Sequence, residues 1–277
     1  MWALSESIRT SSGIHLRKKR LIDNTLRGNR PVTLEKVPYI VSLRANRSFV
    51  CGAVILSANV LLTAAHCLKK PAKYSIKSGS ALRNFGTSHA VRSVQFYPMF
   101  NVTHGFVQDL ALILVSPPID LVRSKNRKIE FYDGPLYPGS PVTLSGWGCT
   151  DIIGGRQIYP YGLRSIVLPI VSQEDCRNTY KNVYIIEDKD ICTGGKEYKG
   201  TCFGDSGGPV VINGKLAGIM SWQVQLVSTQ KDPNVSSNLA YPAYRSWIIS
   251  TMQHLEYIAH LFSLKFQRMR DTQMRKT

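Results

Sequence analysis

The sequence predicts an all-β protein, either a barrel or a sandwich, because short β-prone segments alternate with turn residues and few stretches have helical periodicity. Residues 39–44 (YIVSLR) and 49–56 (FVCGAVIL) are rich in β-branched and aromatic side chains and are bounded by polar residues, which is typical of strands. Residues 59–63, 91–95 and 110–115 continue the pattern. With 277 residues the chain can bury a large core, and all-β barrels of this length occur as one unit.

The N-terminal part of the chain is basic and polar. Residues 17–20 are four consecutive cations, and residues 1–25 are predicted to form a basic leader. Residues 1–20 contain no continuous apolar core of the kind found in signal peptides. No segment of the chain reaches the roughly 18 consecutive apolar residues of a transmembrane helix, so no membrane span is predicted.

The formal net charge is +17, and it is unevenly distributed. No Asp or Glu occurs from Lys36 to Gln108, whereas this segment contains many Lys and Arg side chains. A field of one sign attracts polyanions and anionic surfaces, although a solvated basic face is the simpler explanation because charge alone reports solubility and non-specific binding. We expect no specific nucleic-acid partner.

Three short segments carry the chemistry. Residues 201–209 (TCFGDSGGP) set Ser206 between glycines, which allow a tight turn and a close approach of backbone N–H groups to a substrate. A serine hydroxyl is a weak nucleophile until a base removes its proton. Alone, this segment would be read as a glycine-rich turn between strands, but residues 62–67 (LTAAHC) supply His66 and residues 108–113 (QDLALI) supply Asp109.

In the order His66, Asp109, Ser206, these segments resemble the chymotrypsin-like (trypsin-fold) serine peptidases, and most of all their secreted insect members. Three motifs in register are far more specific than a single G-x-S-x-G match. The resemblance covers about residues 26–251 and implies two six-stranded antiparallel β-barrels packed together, followed by a C-terminal α-helix. It divides this domain into a first barrel at about 26–115, a linker at 116–141 and a second barrel at 142–245.

The resemblance also implies a role for each site residue. Ser206 is the nucleophile, His66 the general base, and Asp109 the group that orients the imidazole, so that peptide bonds are hydrolysed through an acyl-enzyme. The backbone N–H groups of Gly204 and Ser206 form the oxyanion hole. We expect no cofactor and no metal, because no Cys or His pair has ligand spacing and residues 70–90 contain no carboxylate for calcium.

The six cysteines indicate an oxidising compartment and, with the resemblance, secretion. By resemblance Cys51 pairs with Cys67, and Cys176 pairs with Cys192. In the family the cysteine before the serine motif has a partner after Ser-Trp, but residues 223–233 contain no cysteine. We therefore predict that Cys202 pairs instead with Cys149, which follows a Ser-Gly-Trp-Gly segment expected beside the serine loop.

The segment that should control activation departs from the family pattern. Family zymogens are cut after Arg or Lys, and the new N-terminus pairs with the aspartate before the catalytic serine, here Asp205. Alignment places that N-terminus at Leu26, which follows Thr25, and places Arg27 where valine normally inserts. A basic cleavage site at Arg20 lies five residues too early. Either an unusual enzyme activates the zymogen or no ordinary activation occurs.

The predicted specificity pocket also departs from the pattern. Gly200 stands where trypsin-like enzymes have the aspartate that selects Lys or Arg, and Gln223 and Asn234 replace two glycines of the pocket wall. These residues predict specificity that is not tryptic, with a preference for small side chains or very weak activity. The alternative function is a catalytically weak or inactive homologue that binds a protein or a polyanion.

Two further features concern the surface. Asn46 and Asn101 begin glycosylation sequons in segments expected to be exposed, whereas a third sequon at Asn234 coincides with the pocket wall. Residues 252–277 are predicted to form a basic amphipathic extension of the terminal helix. It either lies on the second barrel or docks a partner or an anionic membrane through a face that carries Lys265, Arg268 and Arg270. Its apolar positions repeat every three or four residues at Ile248, Met252, Leu255, Ala259, Phe262, Phe266 and Met269.

Overall fold

The computed structural model describes residues 31–100, 107–194, 200–222 and 232–274, with the side chains of 151–153 and 266–274 outside the description. The predictions for the basic leader, Leu26, Asn101 and Gln223 therefore lie outside the described residues.

Six antiparallel strands close the first barrel in the order β1-β2-β3-β6-β5-β4. A tight turn at Asn46 and Arg47, both with positive φ, joins β1 to β2. Aliphatic side chains from every strand fill the interior, which explains the β-branched runs in the sequence. The strands are β1 (Ile40–Ala45), β2 (Ser48–Ile55), β3 (Val60–Thr63), β4 (Tyr74–Ser78), β5 (Thr87–Phe96) and β6 (Ala111–Ser116).

Six more antiparallel strands form the second sheet in the order β10-β7-β12-β13-β14-β11, and a separate hairpin contains β8 and β9. A bridge between Ile170 and Thr193 brings the two edges of this sheet together into a barrel-like form. The two six-stranded barrels predicted from the sequence are thus confirmed. The strands are β7 (Pro141–Gly146), β8 (Asp151–Ile153), β9 (Arg156–Ile158), β10 (Arg164–Pro169), β11 (Asp190–Gly194), β12 (Pro209–Ile212), β13 (Lys215–Trp222) and β14 (Pro233–Asn238).

Two α-helices and one short 3-10 helix complete the described fold. The 3-10 helix Ala65–Leu68 follows β3 directly. Helix α1 (Gln173–Tyr180) begins after Ser172, whose hydroxyl accepts a hydrogen bond from the Asp175 N–H and so caps the helix. Helix α2 (Pro242–Met274) is 33 residues long. Among the described residues, no helix combines the length and the apolar character that crossing a membrane requires.

Helix α2 lies against the first barrel, in contact with β3 and β6. The alternative predicted from the sequence, in which its extension lies on the second barrel, is therefore wrong. Ile248 and Leu255 are fully buried in the core of the first barrel. Glu256 accepts a hydrogen bond from the Ser57 hydroxyl. The apolar stripe leaves the barrel after Ala259, because the next member, Phe262, is 49% exposed.

The barrels meet beside the serine loop. The Gly52 N–H of β2 donates to the Ser206 carbonyl oxygen at 2.9 Å. A Cβ at Gly52 would lie 3.1 Å from the Gly208 Cα, so the two backbones approach more closely than most side chains allow. This close approach places the end of β3 and the start of β6 next to the serine loop of the other barrel.

Candidate active site

The histidine and aspartate of the predicted triad are in contact. His66 lies in the 3-10 helix and Asp109 immediately precedes β6. The Asp109 Oδ2 atom is 2.7 Å from His66 Nδ1, and its Oδ1 atom accepts the His66 backbone N–H at 2.8 Å. Asp109 is buried. A buried carboxylate at Nδ1 holds the proton there and leaves Nε2 as the basic nitrogen.

A third donor to Asp109 comes from the other barrel. The Ser221 hydroxyl on β13 donates to Asp109 Oδ2. Ser221 is buried, and the two residues are 112 positions apart in the chain. The carboxylate that orients the imidazole is therefore held by both barrels. No motif in the sequence indicates this contact, because Ser221 and Asp109 come from different barrels.

Ser206 occupies the tight turn that the glycines of its motif predict. Its hydroxyl donates to the Ser221 carbonyl oxygen at 3.2 Å. Gly207 has a φ of +76°, and a Cβ there would lie 2.1 Å from the Thr63 hydroxyl oxygen and 2.3 Å from the Gly52 carbonyl oxygen. Only glycine fits this position against the first barrel. His66 and Ser206 line one cavity of about 410 Å³.

The backbone N–H groups proposed for an oxyanion hole lie in the same loop. Gly204 has a φ of +94°. Within the described part of the chain, neither the Gly204 nor the Ser206 N–H donates a hydrogen bond. The loop is tied to the end of β7 by the Cys149–Cys202 disulfide and by a hydrogen bond from the Cys149 N–H to the Phe203 carbonyl oxygen at 2.9 Å. Two free donors on a braced loop are suited to bind an oxyanion.

Asp205 points away from the cavity into the protein. Its two carboxylate oxygens accept the Gly148 N–H at 2.8 Å and the Cys202 N–H at 2.9 Å. A Cβ at Gly148 would lie 2.2 Å from the carboxylate, so the glycine makes room for it. Burial raises the pKa of Asp205 to about 7. Over the ranges that the structure describes, no cationic side chain pairs with this carboxylate.

Asn234, which is predicted to stand in the wall of the specificity pocket, lines the cavity beside Ser206. Its Oδ1 atom accepts the Thr201 N–H at 3.0 Å and the Thr201 hydroxyl at 2.9 Å. Its amide Nδ2 donates to the Thr193 carbonyl oxygen at 2.9 Å. The side chain is 2% exposed and links β11 to the segment before Ser206. The amide therefore occupies space beside the cavity and makes three hydrogen bonds there.

The described lining of this cavity contains no carboxylate at its base. Gly200, which replaces the tryptic aspartate, is buried beside Thr201. On the other side, the Trp222 ring packs edge-on against Tyr180 and Tyr184, with ring centroids 5.0 and 4.9 Å away. The sequence reasoning missed both tyrosines. Their proximity to the Cys176–Cys192 disulfide was the available signal.

Three disulfides are present in the described structure. They join Cys51 to Cys67, Cys149 to Cys202 and Cys176 to Cys192, which are the pairs predicted from the sequence.

Asn46 is exposed in the turn after β1, and its side-chain oxygen accepts the Lys73 N–H at 3.0 Å. The buried, bonded amide of Asn234 leaves no room for a glycan at the third sequon. Cys51, His66 and Cys67 have potential metal-ligand atoms within 4.8 Å of one another, but both sulfurs are used by the disulfide.

Two six-stranded barrels bring a histidine and a serine to one cavity, and a buried aspartate contacts the histidine from behind. This arrangement defines the class of protein, which is that of the serine peptidases. Residues 26–248 match the family model described as Trypsin. The chain belongs to the trypsin family, whose members are serine endopeptidases and thus hydrolases. A second line of evidence comes from individual relatives.

The chain is 32% identical to Trypsin-3 of Salmo salar over 83% of this chain and 94% of that protein. It is also 32% identical to trypsin of the insect Sarcophaga bullata over 84% and 91%. Two solved structures share the fold.

One is mouse neuropsin, a serine protease, with a TM-score of 0.70, 27% identity and coverage of 82% of this chain and 99% of that one. The other is an inactivated protease paralogue of the scabies mite, with a TM-score of 0.72, 29% identity and coverage of 83% and 98%. None of these comparisons supports a polyanion or an anionic surface as a partner.

Proposed function

We propose that this chain hydrolyses peptide bonds with Ser206 as the nucleophile, His66 as the general base and Asp109 as the orienting carboxylate. The observation that carries the proposal is the His66–Asp109 pair, in which the carboxylate accepts bonds from the imidazole, the His66 N–H and the Ser221 hydroxyl. The imidazole of this pair and Ser206 line one cavity, and Asp109 is buried behind the imidazole. A carboxylate held from both barrels keeps the imidazole in one orientation and one tautomer.

The proposed reaction follows from this geometry. The Ser206 Oγ attacks the scissile carbonyl carbon while His66 Nε2 takes its proton, and Asp109 stabilises the imidazolium. The developing oxyanion accepts hydrogen bonds from the Gly204 and Ser206 N–H groups, each worth about 3–4 kcal/mol in the transition state. The imidazolium then gives its proton to the leaving amine. Water releases the acyl group in a second round through the same base.

The proposed substrate has a small side chain before the scissile bond. Asn234 places its amide in the pocket wall, and Gly200 supplies no carboxylate to pair with Lys or Arg. A large side chain would have to displace an amide that makes three hydrogen bonds, which makes its binding costly. Tryptic cleavage is therefore not expected.

We also propose that the protein is secreted as a zymogen and that Asn46 carries a glycan. The three disulfides are consistent with an oxidising compartment. The buried Asp205 carboxylate would gain a cation if processing made Leu26 the N-terminus. The exposed position of Asn46 permits glycan attachment.

A fluorophosphonate probe tests the catalytic proposal, because it reacts with a serine only when a base and an oxyanion hole activate it. The protein is treated with the probe before and after limited proteolysis, beside a Ser206→Ala variant as the control. We expect labelling that disappears in Ser206→Ala. An Asp109→Asn variant should react much more slowly, since it favours the wrong imidazole tautomer.

The alternative is a homologue that has lost catalysis and acts by binding a protein. It is favoured by the Asn234 amide in the pocket and by the similarity to a scabies mite protein that is described as an inactivated protease paralogue. No labelling after verified processing to Leu26 would establish this alternative over the proposed enzyme.

A further inference from the structure

Two aromatic rings form a wall beside Gly204. A Cβ at Gly204 would lie 2.9 Å from a ring carbon of Phe49 and 3.1 Å from a ring carbon of Tyr159. The two ring centroids are 6.3 Å apart at an interplanar angle of 76°. Phe49 also packs edge-on against Trp147, which is 1% exposed. This aromatic wall is therefore fixed to the core where the barrels meet.

The guanidinium of Arg83 rests on this wall. Its central carbon is 5.2 Å from the centre of the Phe49 ring and 5.1 Å from that of Tyr159, distances typical of cation–π contacts. The Arg83 backbone is held on both sides, because its N–H donates to the Tyr161 carbonyl oxygen at 2.9 Å and its own carbonyl accepts the Ser42 hydroxyl at 3.0 Å. The cation is thus placed by the fold.

Arg83 has no anionic partner among the residues that the structure describes. Its Nε atom is buried without a hydrogen-bond acceptor, and no carboxylate forms an ion pair with it. Arg44, the nearest cation, donates to the Asn84 side chain at 2.8 Å and adds positive charge. The chain from Lys36 to Gln108 contains no acidic residue. A half-buried guanidinium that lacks acceptors gains free energy when a ligand supplies a carboxylate.

The position of Arg83 identifies the part of the substrate it would meet. The cavity with Trp222 and Asn234 lies on the β13 side of Ser206 and receives the acyl part of the substrate. Phe49 belongs to β2, which bonds to Ser206 through the Gly52 N–H, and neither Phe49 nor Tyr159 lines that cavity. The leaving part of the peptide therefore passes over the aromatic wall. An extended chain advances about 3.3–3.6 Å per residue. The Arg83 guanidinium is separated from Gly204 by the width of one aromatic ring, so it is within reach of the second or third residue after the scissile bond.

We propose that Arg83 is a specificity-determining residue that binds a carboxylate of the substrate, two or three residues after the scissile bond. The substrate class is a peptide with a small residue before that bond and Asp or Glu at the second or third position after it. A chain-terminal carboxylate at that position has the same chemistry. The inference rests on the proposed function for the direction in which the peptide lies.

Matched quenched-fluorescence peptides test the preference. They differ only in having Asp, Ala or Lys at the second and third positions after the bond and end in an amide, and one further peptide ends there with a free carboxylate. We expect cleavage of the Asp peptides to be favoured over the Ala peptides by about tenfold in kcat/KM, the order of a charge-assisted hydrogen bond. The preference should shrink as salt concentration rises.

Arg83→Gln should reduce the ratio of Asp to Ala cleavage to about one, and Arg83→Lys should retain part of it. Arg92→Gln is the matched control, since Arg92 is exposed on β5 and borders helix α2 rather than the aromatic wall. It should keep the full ratio. Preference for the free-carboxylate peptide alone would assign the site to a chain end instead of a side chain.

Binding measurements separate this inference from the catalytic proposal. In a Ser206→Ala background, a fluorescent Asp peptide should bind about tenfold more tightly than its Ala counterpart, and Arg83→Gln should remove the difference. If wild type cleaves nothing but this binding preference is found, the catalytic proposal fails and the inference stands. Equal binding and cleavage of Asp and Ala peptides, or a preference that persists in a folded Arg83→Gln protein, would overturn it.

Discussion

The amide of Asn234 lines the cavity beside Ser206 and bonds both to Thr201 and to the Thr193 carbonyl oxygen. A glycine at this position, which has no side chain, would leave the pocket open. The three hydrogen bonds of Asn234 also explain why a polar side chain is stable there at 2% exposure.

Asn234→Gly should open the pocket. We expect cleavage of substrates with Phe before the scissile bond to rise by at least about tenfold relative to Ala substrates, while unfolding free energy falls by about 1–3 kcal/mol because Thr201 and the Thr193 carbonyl lose a partner. The measurements are kcat/KM on paired substrates and denaturant unfolding. The control is Asn213→Gly, at an exposed turn position with positive φ between β12 and β13, which should change neither. An unchanged Phe-to-Ala ratio would show that Asn234 does not limit the pocket.

Asp205 predicts a pH dependence of stability for the uncut chain. Because its pKa in the fold is raised to about 7 from an ordinary 3.8, the folded state binds the proton more tightly than the unfolded state does. The resulting stability is complete below about pH 4 and is lost as pH rises through about 7. The melting temperature should fall over this window, and Asp205→Asn should flatten the decline.

Asp190 is the comparison for this experiment, because burial raises its pKa to about 7 as well. Asp190→Asn should also reduce the fall in melting temperature between about pH 4 and 7, independently of Asp205→Asn. A newly formed N-terminus at Leu26 should reverse the effect of Asp205 on the pH dependence of the melting temperature. The reason is that an adjacent cation favours the ionised carboxylate and lowers its pKa. A melting temperature that is flat from pH 4 to 8 in uncut wild type would refute the prediction.

At the scale of elements, helix α2 combines two environments along one length. Its first turns contribute Ile248 and Leu255 to the core of the first barrel. Beyond Ala259 its described side chains are exposed, including Leu261 at 46% and Leu264 at 40%. In the sequence, the apolar positions that repeat every three or four residues continue from the buried part of the helix into the exposed part. The repeat therefore predicts the helix well but not the point where it leaves the barrel.

Two leucine truncations in this helix measure the difference. Leu255→Ala should lower the free energy of unfolding by about 2–5 kcal/mol, since it leaves a cavity in the first barrel. Leu264→Ala is the same change on an exposed surface and should cost less than about 0.5 kcal/mol. Denaturant unfolding of both variants provides the test. Similar losses in the two variants would mean that the helix is not anchored where the structure places it.

At the scale of the whole molecule, the candidate site exists only where the barrels meet. His66 and Asp109 come from the first barrel, whereas Ser206 and Ser221 come from the second. The hydrogen bond from Ser221 to Asp109 is one of the contacts that cross this junction. It links the orientation of the imidazole to the docking of the two barrels.

Ser221→Ala should lower kcat by about tenfold with little change in KM, because the Asp109 carboxylate loses a donor that fixes its position while the binding cavity is kept. Steady-state kinetics on a small-residue substrate measure both constants. Ser237→Ala is the matched control, as Ser237 is buried on the adjacent β14 but outside the cavity. A rise in KM with unchanged kcat would assign Ser221 to substrate binding instead.

Much of this protein was predictable from sequence because its signals are local. The β-prone runs predicted strands, since burial and side-chain shape act within a few residues. The segments around His66, Asp109 and Ser206 each carried their own pattern. The Cys149–Cys202 pair was predicted because the usual partner segment has no cysteine. Each of these inferences needs only neighbouring residues or a known order of motifs.

The tertiary structure alone decided how distant segments meet. Asp109 and Ser221 are 112 residues apart, and Thr201 and Asn234 are 33 apart. Neither contact is indicated by a repeating pattern in the sequence. Each depends on how distant segments pack, and the sequence of one segment does not specify which other segment it will contact. The same holds for Arg83 on its aromatic wall. Sequence therefore determined which reactive side chains this protein has, and tertiary packing within and between the barrels determined which of them meet, because those contacts join segments that are far apart in the chain.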